Sequence, residues 1–320
     1  MFEVVEDYPR DLAEFERRFA TEEACRQYLA QLRWPEGFRC PRCGNQKAWP
    51  VRAGRLWHCV ACGHQTSVTA GTLFQDTRTP LTTWFRAMWW VTTPKSGMSA
   101  VDAQRVLGLR SYTTAWVWLH KLRRAMVRPD RDRLAGRVEV DETYWGAAEA
   151  GVRGRQVVDK RLVAVAVEQV GRRGLGRIRL RQIPDASAAS LEAFVKDAIE
   201  PGSTIHTDGW EGYDGLAKAG YRHRVTVLRK HPPTPDLLPR VHRVAGLLKR
   251  WLLGTHQGGV SAAHLDCYLD EFTFRFNRRR SRHRGKLFYR LAQQAVAIGP
   301  RPFKDLVAAD HNIEGFPART

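Results

Sequence analysis

Four cysteines and two aspartates offer the clearest chemistry in this 320-residue chain. Cys40-Pro41-Arg42-Cys43 and Cys59-Val60-Ala61-Cys62 are two CxxC pairs with fifteen residues between Cys43 and Cys59. A CxxC turn aims two sulfurs at one point, and the glycine after each pair lets the backbone fold back beneath it. Four thiolates close a tetrahedral shell, so Cys40, Cys43, Cys59 and Cys62 are expected to hold one structural Zn²⁺ in a zinc ribbon. Cys25 and Cys267 have no such partner and fall on helical apolar faces, as inert core thiols do. Asp141 closes the alternation Val138-Glu139-Val140-Asp141, in which Glu139 and Asp141 share the face opposite the valines. Asp208 ends Ser203-Thr204-Ile205-His206-Thr207 and precedes Gly209, a turn residue. Alone, Asp208 reads as a helix cap. Two such carboxylates at strand ends in a basic protein read differently. They can hold two divalent ions about 3.5–4 Å apart, one activating a nucleophile and one stabilising a leaving oxygen.

Charge points to the substrate. The chain has 52 Lys and Arg against 33 Asp and Glu, a formal +19, which calls for a polyanion such as nucleic acid. The charge is clustered: residues 1–30 carry a net −4 and residues 221–290 a net +12, which favours a defined binding face over a uniformly basic surface. At 43% hydrophobic and 27% charged, the chain can bury a core. No run of 18 apolar residues exists, so no membrane span is expected. Nor does the acidic start resemble a secretory signal. A cytoplasmic protein with reduced thiols follows, and reduced, paired cysteines favour metal over disulfides.

The elements that position these groups can be read in order. Residues 11–32 suggest two short helices, the second capped by Thr21. Residues 47–51 and 55–58, between the cysteine pairs, alternate as short strands. The aromatic stretch 72–95 starts a helix at Pro80. Ser99 to Leu109 and Ser111 to Arg124 form a capped helix, a glycine turn and a longer helix ending in Arg123, Arg124 and Arg128. This is a helix-turn-helix pattern, with an ordinary helical hairpin as the alternative. Ala115, Trp118, Leu119 and Leu122 should face its core. After a charged break at 129–133 come three strands, 137–144, 162–167 and 176–183, as an antiparallel meander. The segment 146–160 reads as a mobile Gly/Arg loop. A helix over 187–199, a strand into Asp208, a helix over 211–219 and a strand over 221–228 complete a ribonuclease H-like order.

These stretches carry a resemblance. Val138-Glu139-Val140-Asp141-Glu142-Thr143-Tyr144-Trp145-Gly146, Thr207-Asp208-Gly209, Leu248-Lys249-Arg250, Gly254-Thr255-His256 and the run Asp270 to Arg279 resemble bacterial insertion-sequence transposases with a zinc ribbon and an ISXO-type DDE domain. The resemblance covers nearly the whole chain and implies a ribonuclease H-like catalytic domain. It also implies Mg²⁺- or Mn²⁺-dependent DNA strand cleavage and transfer, with water and then a 3′-hydroxyl attacking in line. Double-stranded DNA, as terminal inverted repeats and target, is the implied partner, bound by a homodimer. One departure stands out. The family places a third acid seven residues before a lysine; here Lys249 matches the lysine, and His242 stands in the acid's place. The resemblance therefore implies Asp141, Asp208, His242 and Lys249 as the catalytic set. His242 would be a metal ligand better suited to Mn²⁺ than to Mg²⁺, and Lys249 a phosphate contact. A structural or phosphate-contacting role for His242 stays open, as does a solvated helix face for Lys249.

The fold class expected is a multidomain α/β protein. Its parts are N-terminal helices (1–32), a zinc ribbon (33–75), a helix-turn-helix domain (76–130), a ribonuclease H-like mixed-sheet catalytic domain (131–299) and a tail (300–320). DNA is expected to meet Arg123, Arg124, Lys249, Arg250, Arg278, Arg279, Arg280 and Arg282. Asp270 or Glu271 could supply an oxygen should His242 not serve, although Glu271 also fits an i,i+4 ion pair with Arg275. A DNA-binding regulator without catalysis, and a nuclease of the same fold without strand transfer, are the alternatives.

Overall fold

The computed structural model describes residues 6–128, 131–146, 160–172, 174–227 and 237–307. Two compact units emerge: Met1–Arg128 with Arg280–Thr320, and Pro129–Arg279. The division beside residue 129 lies next to the expected boundary at 130. The stretch 280–299, assigned by sequence to the catalytic domain, belongs to the first unit instead. Most of the Gly/Arg loop expected over 146–160, and the last residue of the strand expected over 221–228, lie outside the described residues.

In the first unit, α1 (Leu12–Arg18) and α2 (Glu22–Arg33) start at side chains that satisfy otherwise orphaned amides: Asp11 accepts from Glu14 N and Thr21 from Ala24 N. The ribbon is β1 (Ala48–Val51), β2 (Leu56–Cys59) and β3 (Gln65–Thr66), antiparallel in that order. Sequence alternation revealed the first two; β3 is too short to show a period. Helix α3 (Leu81–Thr92) follows Pro80, which has no capping side chain. Glu22 supplies the cap from a distance, accepting from Leu81 N at 3.0 Å and Thr82 N at 2.8 Å. Helices α4 (Ala100–Leu107) and α5 (Tyr112–Arg124) are joined through Gly108, left-handed at φ 63°, a conformation that costs glycine little. Ala115, Trp118, Leu119 and Leu122 are buried as their spacing required. Trp118 stacks on Trp84 with ring centroids 3.6 Å apart.

The second unit is built on one sheet. Strands β4 (Arg137–Trp145), β5 (Arg161–Val170) and β6 (Gly174–Ile183) form the antiparallel meander. Helix α6 (Ala188–Ala198), capped by Ser187, leads to β7 (Thr204–Thr207), a 3₁₀ turn (Glu211–Leu216) and β8 (Arg222–Val225). Helix α7 (Pro239–His256) and α8 (Leu265–Asn277) follow. The strand order is β6-β5-β4-β7-β8, with β7 parallel to β4 and β8 parallel to β7. Position explains the unbroken apolar run over 162–167: β5 is buried on both faces. Leu162, Ala164 and Ala166 join Val138, Val140 and Ile205 beneath α6, while Val163, Val165 and Val167 join Ile178 and Leu180 beneath α7 and α8. A three-stranded meander continued by parallel strands, with helices on both faces, is the ribonuclease H-like arrangement. A parallel pair needs a crossover, so β4 and β7 end at the same edge of the sheet.

The chain then returns to the first unit with α9 (Gly285–Ala297) and α10 (Phe303–Val307). Phe288 of α9 packs edge-on against Phe15 and Phe85, which explains why 280–299 belongs there. A Cβ on Gly285 would stand 1.6 Å from the Pro9 carbonyl oxygen, so only glycine lets the N-terminal strap cross α9.

Candidate active site

Strand β4 carries Asp141, and Asp208 directly follows β7. Glu139 of β4 lies opposite His206 of the parallel β7, Asp141 shares the face of Glu139, which carries α7, and Asp208 is close enough for its charge to act on Asp141. Asp141 Oδ1 accepts from Glu142 N at 2.8 Å, and Asp208 Oδ1 accepts from Trp210 N at 3.1 Å. Asp208 is not the helix cap that it suggested on its own, since Trp210 holds the N-cap position of the following 3₁₀ turn; its bond to Trp210 N forms a local turn and occupies one carboxylate oxygen. Burial and then the Asp208 charge push the Asp141 carboxyl above its ordinary range, although the Glu142 amide and His242 pull the other way. Crowded carboxylates of this kind favour a bound cation.

Helix α7 brings His242 to this edge. Its Nε2 lies 3.1 Å from Asp141 Oδ2, and the imidazole side chain is 53% exposed. Cis ligands of an octahedral ion at about 2.1 Å are about 3 Å apart, so this spacing suits two donors of one ion. Two carboxylates and an imidazole fit Mn²⁺ or Mg²⁺ as a donor set. Lys249 lies two turns further along the same helix and is half-buried. Burial, and then the nearby charge of Lys160, hold its ammonium below the usual lysine value. Two crowded cations there would be relieved by an anion such as phosphate. Arg250 is exposed.

Sequence reasoning missed the parts that hold this edge in place. Glu139 is 2% exposed. Its Oε2 accepts from Arg240 N at 2.8 Å and Val241 N at 3.2 Å, and its Oε1 pairs with Arg240 Nη1 at 2.5 Å. Tyr213 donates to Glu142 Oε1 at 2.8 Å; burial and the Glu142 charge push its phenol well above the ordinary value. The available signal was an acid on the strand face that a following helix must cover.

The expected DNA contacts divide. Arg280 and Arg282 are exposed, as is Arg124, whose Nη1 donates to Gly299 O at 3.2 Å. Arg123 is 1% exposed and is corrected from surface to core: it follows Leu119 by four residues on the buried face of α5. Arg278 donates to Phe274 O and lies over the Phe274 ring. Arg279 donates to Gly176, Leu175 and Phe276 carbonyls and lies over the Phe276 ring. Both guanidinium groups tie the end of α8 down, so they are not the free phosphate-gripping row that the sequence suggested. Glu271 is fully buried and pairs with Arg275 at 3.2 Å, which leaves it no place at the β4–β7 edge.

The four ribbon sulfurs lie within 4.8 Å of one another. Cys40 and Cys62 are 3.7 Å apart, Cys43 and Cys59 3.6 Å. A tetrahedron with Zn–S of about 2.3 Å has edges of about 3.8 Å, so the sulfurs already trace a zinc shell. Despite desolvation, the Cys43 and Arg42 amides bring the Cys40 thiol down to about 7. The Asn45 amide pulls Cys43 down, but its neighbouring thiols and desolvation outweigh that bond and carry it up to about 12. Four thiolates cannot coexist so close without a dication between them. Cys25, in contrast, is a buried thiol that desolvation pushes up to about 12.

Residues 133–277 match the ISXO2-like transposase domain and residues 20–65 the transposase zinc-ribbon domain. A protein in transposable element ISH50 of Halobacterium salinarum is 27% identical over 285 residues, 81% of this chain and 92% of that protein. Among solved structures, the catalytic core domain of BIV integrase is 18% identical, spans 43% of this chain and 81% of its own, and has a TM-score of 0.29. The simian T-cell lymphotropic virus intasome in complex with a PP2A regulatory subunit is 19% identical, spans 53% and 63%, and scores 0.30. At such scores the fold rests on the strand order given above. Over residues 20–65 and 133–277 the chain is similar to insertion-sequence transposases, with a zinc ribbon and an ISXO2-like transposase domain.

Proposed function

We propose that the Pro129–Arg279 unit cuts DNA at the ends of an insertion sequence and joins the freed ends to target DNA. The supporting observation is the contact of His242 Nε2 with Asp141 Oδ2 at 3.1 Å, with the Asp208 charge acting on the same Asp141 carboxyl. Asp141, Asp208 and His242 would hold divalent Mg²⁺ or Mn²⁺. When bound, such ions lower the pKa of an attacking hydroxyl and stabilise charge on the leaving oxygen. The protein's own part is orientation. The two carboxylates would hold the cations at the sheet edge, towards which the phosphate is drawn, and Lys249 takes a non-bridging oxygen as a point charge. Arg250, Arg280 and Arg282 bind flanking phosphates without reading sequence. The ribbon, carrying one zinc ion on Cys40, Cys43, Cys59 and Cys62, and the α4–α5 pair recognise the terminal repeats. A homodimer holds two DNA ends together. The test is incubation of the purified protein with Mn²⁺ and DNA spanning the element's ends. Cleavage at the terminal repeats, followed by joining to target DNA, is expected. Cleavage without joining would mark a nuclease, and binding without cleavage a regulator.

A further inference from the structure

Helix α7 lacks a cap of its own. Its N-cap residue, Leu238, offers no side-chain acceptor, and Pro239 opens the helix. The amides of Arg240 and Val241 belong to the first turn, where no intrahelical carbonyl reaches them. Glu139 accepts both from across the sheet, at 2.8 Å and 3.2 Å. Its second oxygen pairs with Arg240 Nη1. The same guanidinium donates Nε to Gly174 O at 3.2 Å and Nη2 to Arg172 O at 2.6 Å, at the β5–β6 turn. The Glu139 and Arg240 side chains are 3% and 10% exposed.

Placement gives this pair a second role. Glu139 lies two residues before Asp141 on β4, and Arg240 two residues before His242 on α7. The apolar face of α7, through Val241, Val244, Leu248 and Leu252, seats the helix on the sheet. Apolar packing is non-directional and tolerates sliding and rotation. A charged acceptor bonded to two amides and one guanidinium fixes both at one point. That point is one strand pleat and about half a helical turn from the gap between Asp141 and His242.

We infer that Glu139 and Arg240 are positioning residues that set His242 against Asp141 for binding a divalent cation. The inference rests on the proposed reading of Asp141 and His242 as cation ligands. Neither Glu139 nor Arg240 touches the cation. Glu139 acts through the N-terminus of α7, and Arg240 ties that N-terminus to the β5–β6 turn. Partners one shell out from a metal change affinity by about 10-fold to 100-fold.

The experiment is a Mn²⁺ titration of the full chain without DNA. Free Mn²⁺ is read by electron paramagnetic resonance, and nitrogen coupling to the bound ion by the pulsed method. Asp141→Asn and His242→Ala are the reference variants, losing affinity and nitrogen coupling respectively. Glu139→Gln keeps an acceptor for the amides but removes the charge that organises Arg240. A folded Glu139→Gln protein, checked by circular dichroism, should bind Mn²⁺ about 10-fold to 100-fold more weakly, with reduced nitrogen coupling. Arg240→Lys, which keeps Glu139 paired but loses the forked bonds to the turn, should shift in the same direction and serves if Glu139→Gln does not fold. Wild-type affinity and coupling in either folded variant, beside a weakened Asp141→Asn, would overturn the positioning role alone. Unchanged affinity in Asp141→Asn would instead overturn the ligand assignment on which it rests.

Discussion

Arg279 separates a structural arginine from a DNA-binding one. Its Nη1 donates to Gly176 O at 3.2 Å and Phe276 O at 2.9 Å, its Nη2 donates to Leu175 O, and its guanidinium lies 4.0 Å from the Phe276 ring centroid. Hydrogen bonds from a charged donor contribute about 1.5–3 kcal/mol each, and a cation–π contact about 0.5–1 kcal/mol at exposed sites. One guanidinium makes all of these, and it is half-buried, so the terms do not add fully. A net cost of about 2–4 kcal/mol for Arg279→Ala follows from those ranges. In a domain of this size each kcal/mol is about 2–4 °C, so the melting temperature of the Pro129–Arg279 unit should fall by about 5–15 °C. Arg279→Lys keeps the charge but cannot fork across two strand carbonyls, and should lose most of the same stability. The assay pairs scanning calorimetry with DNA affinity measured over a range of salt. Folded Arg279→Ala protein should keep the wild-type slope of log affinity against log salt. An unchanged melting temperature with a slope reduced by about one phosphate contact, roughly 0.9, would refute the reasoning and return Arg279 to the DNA.

The complementary variant, Arg280→Ala with Arg282→Ala, should leave melting unchanged and flatten the salt slope without altering sequence preference, as footprinting across salt would show. Chelating one zinc ion per chain, counted by elemental analysis, should unfold the ribbon and leave the Pro129–Arg279 unit melting as before. Asp141→Asn and Asp208→Asn should each abolish cleavage while gel-shift affinity survives; His242→Ala should cut it severely. His242→Glu should move the metal preference from Mn²⁺ towards Mg²⁺, since a hard oxygen replaces nitrogen. Burial raises the Glu168 carboxyl, but hydrogen bonds from Arg177 and the Ala135 amide lower it further, leaving it below its ordinary value near 4.5. Its contribution is therefore complete above that value and disappears as pH falls through the lowered one. Glu168→Gln should melt earlier at pH 7 and show a shallower acid limb in a melting-temperature profile.

Whatever depended on local pattern was legible in the sequence. Two CxxC pairs at fixed spacing specify a zinc shell because a turn and a tetrahedron leave little freedom. The alternation around Asp141 and the apolar run of β5 followed from period-2 geometry and burial on both faces. Thr21 and Ser187 act as caps because their hydroxyls need reach only three residues. Long-range pairing was decided by the tertiary structure. Nothing local marks Glu139 as the cap of a helix a hundred residues away, or Glu22 as the cap of α3, because the orphaned amides and their acceptor meet only after folding. Arg123, Arg278 and Arg279 read as a basic surface until packing put one in a core and two across backbone carbonyls. The stretch 280–299 read as part of the catalytic unit until Phe288 found its aromatic partners in the first. Charge in sequence records how many cations a chain carries. Which of them face solvent depends on the carbonyls, rings and carboxylates that the fold brings within about 3–4 Å.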